Sequence, residues 1–343
     1  MELLLLGGTA FVGREIARVA VARGHRVTCL ARGSAPAPDG STFVVGDRDA
    51  ADGLAPVTGR RWDCVTDVAT APGQVRRAVA ELDAAHWVYV SSTSVYTNAA
   101  TFEQDEDAPV AEPLVDDVMP GMELYGAAKV ACEQTVRSAC TSGTAGMTAT
   151  IVRPGLIGGP GDLSGRSGYW PWRLAHPSGD DVIVPDDPEF PCALIDVRDL
   201  AEWVVTAAER RLDGVFNATG PTEPLRAMLG WAAEAAGADG FPVLAVPAAT
   251  LAALGVTGWA GPASLPLWID DPEARGLATL DTGRARAAGL VTRPVVETFR
   301  GALAFEAERT SPRKAGLSDE DERRVRDTVA SSGGERAPFR GER

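Results

Sequence analysis

The sequence predicts an α/β protein built on a doubly wound parallel sheet, with a smaller lobe for substrate contributed mostly by the C-terminal half. Three observations carry this. Short apolar runs recur at 2–6, 25–31, 42–45, 63–69, 87–90, 148–153 and 215–218, each the length of a buried strand. Helical stretches such as 73–82 and 125–139 separate several of them, and strands alternating with helices close a parallel sheet through right-handed crossovers. The first strand breaks at Gly7-Gly8, and a helix read over 15–23 follows Gly13 and stops at Gly24. A strand, a glycine turn and a helix in that order form a phosphate cradle, where backbone N–H groups and the helix N-terminus face an anion.

With 343 residues the chain has room for one large or two moderate domains and a sizeable core. Its net charge of −14 argues against nucleic acid and anionic membrane as partners. The N-terminal apolar run is too short to span a bilayer and carries no basic leader, which points to a cytoplasmic location. Five scattered cysteines without a C-x-x-C pair, and three histidines, offer no recognisable metal site, so buried free thiols are expected.

Residues 1–160 form the cofactor domain, and 193–220 return to it. Between them, from Gly158, the chain turns rich in glycine, aromatics and arginine. That change opens a second lobe over 161–192 and 221–305, with a return strand read at 192–195, helices at 230–236 and 248–254, and an aromatic loop at 259–268. Residues 101–122 read as an acidic, proline-bearing loop. The segment 306–343 reads as a charged helix, capped at Ser318 with an acidic first turn, and a disordered tail over 331–343.

The chemistry lies in Tyr125-Gly-Ala-Ala-Lys129. On a helix, i and i+4 share a face, so the ammonium stands beside the phenol. Such a lysine favours the phenolate and lets the tyrosine exchange a proton near neutral pH. Ser92, at the end of the fifth strand, is placed to hydrogen-bond the oxygen under reaction.

Read together, LLLLGGTAFVGREI, VYVSSTSVY, YGAAKVACEQ, IVRPGLIGGPGD and ALIDVRDLAEWVV resemble, in order over roughly 2–220, the extended short-chain dehydrogenase/reductases, the NAD(P)-dependent epimerase/dehydratase family. The resemblance implies a Rossmann-type fold, with Tyr125 as acid/base, Lys129 as its modulator and ribose contact, and Ser92 as carbonyl orienter. It also implies a cofactor set of Gly7, Thr9, Ala10, Phe11, Val12, Arg14, Arg32, Asp47, Arg48, Ala69, Ser91, Tyr125, Lys129, Pro154, Gly155 and Ile157. A homodimer is the family default.

NAD enzymes usually carry an acid at the end of the second strand to grip the ribose 2′-hydroxyl. Here Ala31-Arg32 stands there. Losing the acid removes repulsion of a 2′-phosphate and arginine supplies a cationic fork, with Arg14 able to join it, so NADP(H) is favoured and NAD(H) remains possible. Leu156 stands where nucleotide-sugar members usually carry asparagine, which leans toward a reductase of a small metabolite. A nucleotide-sugar epimerase or dehydratase with tightly held NAD, and a non-catalytic cofactor-binding member, are the alternatives. Thr93, Arg166, Trp170 and Arg173 are the candidate substrate contacts. Asp196 and Arg198 read as an ion pair at a helix start.

Overall fold

The computed structural model describes residues 1–142 and 146–331. Its centre is a seven-stranded parallel sheet of β1 (Glu2–Leu6), β2 (Arg26–Ala31), β3 (Thr42–Val45), β4 (Cys64–Asp67), β5 (His86–Val90), β6 (Thr148–Pro154) and β7 (Gly214–Ala218), in the spatial order β7-β6-β5-β4-β1-β2-β3. The helices are α1 (Phe11–Ala22), α2 (Pro72–Glu81), α3 (Tyr125–Ser142), α4 (Tyr169–Ala175), α5 (Val197–Arg210), α6 (Leu225–Ala236), α7 (Ala248–Ala253), α8 (Gly283–Ala287), α9 (Val295–Ala307) and α10 (Asp319–Ser331).

The four leucines of β1 explain why the sheet is covered on both faces. Side chains alternate along a strand, so Leu3 and Leu5 join α1 and α5 in one core, while Leu4 and Leu6 join α2 and α3 in the other. All four are fully buried, each contributing about 1.5–3 kcal/mol. Strand order reverses between β1 and β4, so a crevice opens beyond their carboxyl ends. Gly7 leaves β1 on one side of it, and Val68-Ala69 leave β4 on the other.

The second lobe has its own core. The segment Val182–Pro185 pairs in parallel with Val243–Val246, and Trp170, Ile183, Met228, Phe299 and Val325 pack around the pair. Three boundaries differ from the sequence reading. Helix α1 starts at Phe11, four residues early, because Ala10 already has extended backbone and serves as its cap. The stretch 192–195 is no strand of the main sheet: Pro191–Cys192 pairs with Glu223–Pro224, and Ile195–Asp196 with Ile157–Gly158. Helix α6 starts at Leu225, five residues before the expected start. Helix α10 begins after Ser318 as expected, and Glu322 and Val325 bury its inner face against the lobe. Of the expected tail, 332–343 lie outside the described residues. Among the described residues no helix is long and apolar enough to cross a membrane. All five cysteines are free, and four of them are buried.

Candidate active site

The glycine turn is built by close approach. Gly7 has φ +96°, and a Cβ there would meet Val68 Cγ2 at 2.7 Å. A Cβ on Gly13 would lie 2.2 Å from the Gly7 carbonyl oxygen, so only glycine lets α1 sit down on the turn. Ala10 stands between them without strain, at φ −123° and ψ 143°. The first turn of α1 carries no acidic residue and no side-chain cap, which leaves its positive end available to an anion.

Two cavities meet at this turn, sharing Gly7, Ala10 and Val68. The larger, about 590 Å³, is lined by Phe11, Val12, Ser91, Ser92, Thr93, Tyr125, Lys129, Pro154, Gly155, Ile157 and Arg166. The smaller, about 260 Å³, is lined by Thr9, Ala31, Arg32, Asp47, Arg48 and Ala69. Two chambers on either side of the glycine turn offer room for the two halves of a dinucleotide. The expected cofactor residues thus gather in one crevice, with three qualifications. Arg14 lines neither cavity, because its guanidinium donates to the Pro36 carbonyl at 2.7 Å. Arg48 lines the wall, but its guanidinium forms a buried bidentate pair with Asp67 at 2.7 and 2.8 Å. Ser91 donates to Glu133 at 2.5 Å, and Glu133 also holds Arg153 through two bonds, so that hydroxyl serves a structural network.

The reacting groups come from the end of β5 and the start of α3. Ser92 Oγ accepts from the Ser94 N–H at 3.1 Å, and this cap fixes the tight turn after β5. The Ser92 hydroxyl donates to Ser94 Oγ at 3.1 Å, and Ser92 and Tyr125 line the same cavity. Lys129 Nζ lies 5.9 Å from the Tyr125 ring centroid and donates to the Ala69 and Val90 carbonyls at 2.9 and 2.8 Å. Burial pulls the Lys129 ammonium down to about 8. Burial also pushes the Tyr125 phenol above its ordinary value, opposed by the Ser92 side chain and by the positive charge of Arg166. Lys129 donates to carbonyls that follow β4 and end β5, and Arg166 is a second cation on the wall of the same cavity.

Of the candidate substrate contacts, Thr93 and Arg166 line the larger cavity. Trp170 and Arg173 do not. Trp170 is fully buried in the lobe core, with its indole N–H on the Pro266 carbonyl at 2.7 Å. Arg173 is buried against α10 and paired with Asp319 and Glu322 at 2.7 and 3.1 Å. Asp196 caps α5 and pairs with Arg198, as expected. Sequence reasoning passed over Asp162, Trp259, Leu277 and Ala278, which complete the cavity wall. They come from loops with no periodic signal; the aromatic loop at 259–268 was the nearest hint.

Comparison with known proteins agrees with this architecture. The model of the NAD dependent epimerase/dehydratase family matches residues 71–218. The chain is 32% identical over 199 residues to a 2'-dehydrokanamycin reductase of Streptomyces kanamyceticus, covering 54% of this chain and 52% of that protein. It is 27% identical over 263 residues to the chloroplast stem-loop binding protein of 41 kDa b of Arabidopsis thaliana, covering 70% of this chain and 64% of that one. The chain therefore spans about half and under two thirds of these relatives. The fold superposes on UDP-N-acetylglucosamine 4-epimerase from Bacillus cereus with a TM-score of 0.64 at 15% identity, covering 90% of this chain and 98% of that one. Over residues 71–218, which include Ser92, Tyr125 and Lys129, the chain matches the NAD dependent epimerase/dehydratase family model, and the sheet order of the whole fold agrees with that likeness.

Proposed function

We propose that the chain is an NADP(H)-dependent oxidoreductase acting on a carbonyl/alcohol pair of a small metabolite. The observation that carries this reading is that Ser92, Tyr125 and Lys129 line one cavity that runs back to the glycine turn. The bound dinucleotide supplies or accepts the hydride. The turn from Gly7 to Val12 would hold its phosphates, Arg32 a 2′-phosphate, and Pro154 to Ile157 the nicotinamide side.

The remaining chemistry belongs to the chain's own groups. Burial keeps Tyr125 protonated at neutral pH, so it is set to give a proton to an oxygen that gains charge as a carbonyl is reduced. Ser92 donates to that same oxygen. An ammonium has three N–H donors, and Lys129 spends two on Ala69 and Val90, which leaves one for a cofactor ribose hydroxyl. Leu156 makes the wall apolar where nucleotide-sugar members carry asparagine. The acidic net charge and the complete Ser/Tyr/Lys set weigh toward an enzyme rather than a nucleic-acid scaffold.

Tyr125→Phe tests the assignment. It should lower carbonyl reduction by about 10²–10⁴-fold while NADPH still binds. Retained turnover would remove Tyr125 from its role. Purified protein holding NAD tightly, with no net turnover of added cofactor, would replace this reading with an epimerase or dehydratase.

A further inference from the structure

We propose that Arg166, stacked on Trp259, is a subsite for an oxyanion of the substrate, so that the carbonyl compound reduced here carries a carboxylate or phosphate. The proposal rests on the reductase reading of this cavity and adds the substrate's charge.

The turn that presents Arg166 is organised around Asp162. Its carboxylate accepts from the Ser164 N–H and hydroxyl at 2.9 and 2.5 Å, and from the Ser167 N–H and hydroxyl at 3.0 and 2.8 Å. Four donors occupy this acid and it makes no ion pair with Arg166, although its negative charge still acts on the guanidinium from nearby. Gly165, at φ +78°, reverses the chain and sends the next side chain into the cavity. Arg166 Nε reaches Ser164 Oγ at 3.3 Å. Among the described residues its two terminal nitrogens have no protein acceptor and no acidic partner within ion-pair distance. Most other arginines of this acidic chain are paired, as Arg153 is with Glu133 and Arg173 with Glu322.

Trp259 holds the guanidinium from its face. Its ring centroid lies 5.2 Å from Arg166 Cζ, a stacking that leaves the N–H edge free for a planar acceptor. The loop that delivers Trp259 is strained at three non-glycine positions: Trp259 at φ +66°, Ala263 at φ +53° and Leu267 at φ +71°. Such conformations persist only where surrounding contacts impose them, and they concentrate at ligand sites. Here the Trp259 N–H is pinned to the Leu265 and Trp268 carbonyls at 3.2 and 2.6 Å. Arg166 is close enough to Tyr125 for its charge to oppose the burial of the phenol. Arg166 and Tyr125 line the same cavity, so an anion seated on Arg166 shares it with the reacting oxygen.

The test uses three aldehydes that differ only in one substituent: para-formylbenzoate, para-formylphenyl phosphate and methyl para-formylbenzoate. Their binding to the full chain saturated with NADP⁺ is measured by titration calorimetry. The carboxylate or the phosphate should bind about tenfold or more tighter than the neutral ester. Arg166→Leu should abolish the difference, Arg166→Lys should keep part of it, and NADP⁺ affinity should stay unchanged in both. Which of the two anions binds tighter identifies the class. Equal affinity of all three in the wild type, binding by none, or a difference that survives Arg166→Leu overturns the proposal. A parallel loss of NADP⁺ affinity also overturns it, because the guanidinium would then serve the dinucleotide. Wild-type discrimination needs no variant to fold. Binding is read separately from NADPH consumption, so the anion subsite and the reductase reading can fail independently.

Discussion

Arg32 and Arg14 illustrate how little of an arginine's fate is written in its position. Arg14 lies in the first turn of α1 and Arg32 directly follows β2, and both are candidates for a 2′-phosphate. Arg14 is spent on the Pro36 carbonyl, whereas Arg32 is exposed on the rim of the smaller cavity beside Ala31. With no carboxylate at Ala31, the charge there is set by Arg32 and by Asp47 across the chamber. Arg32→Ala should weaken NADPH binding on the order of tenfold, about 1.4 kcal/mol, and leave NADH nearly unaffected. Fluorescence titration of both cofactors checks it. Equal losses for the two would remove Arg32 from phosphate recognition.

At the scale of elements, the strands were legible because their apolar runs are short, dense and bounded by glycine or polar residues. The start of α1 was not, since Ala10-Phe11-Val12 offers no capping side chain and Phe11 enters at φ +21°. His86 shows what the sheet interior does to a polar side chain that pattern reading left unassigned. It is fully buried between Thr148 and Thr150 of β6, at 2.8 and 3.1 Å, and burial lowers its imidazole to about 4. The folded chain thus keeps His86 neutral where the unfolded chain, near its ordinary value of 6.5, takes up a proton. Stability from this site is whole above pH 6.5 and drains away as pH falls toward 4. Relative to His86→Gln, the wild type should lose up to about 3 kcal/mol between neutral pH and pH 4. Denaturant unfolding of both proteins at several pH values measures it, and a pH-independent difference would mean the imidazole titrates normally.

For the whole molecule, the main sheet could be read from local pattern, but the second lobe could not. Its strand pairs are short, and its partners lie far apart in sequence, as Val182–Pro185 does from Val243–Val246. The same distance hid the role of Arg173. Sequence placed it in the lobe that faces substrate; the structure buries it off the cavity wall, where it fastens α10. Its guanidinium reaches Asp319, the Leu317 carbonyl and buried Glu322, which also receives Arg326. Removing one partner of such a cluster leaves a buried charge poorly compensated. Arg173→Met should therefore cost about 3 kcal/mol of stability and expose α10 to protease first. The cavity should not notice: Arg173 contributes nothing to its wall, so cofactor affinity and KM of the folded variant should match the wild type. Thermal unfolding, limited proteolysis and steady-state kinetics on one preparation decide the matter. A variant with unchanged stability but weakened substrate or cofactor binding would return Arg173 to the active site and would mean that α10 is held by Val325 in the lobe core and by the contacts of Arg326 with Asp181 and Glu322.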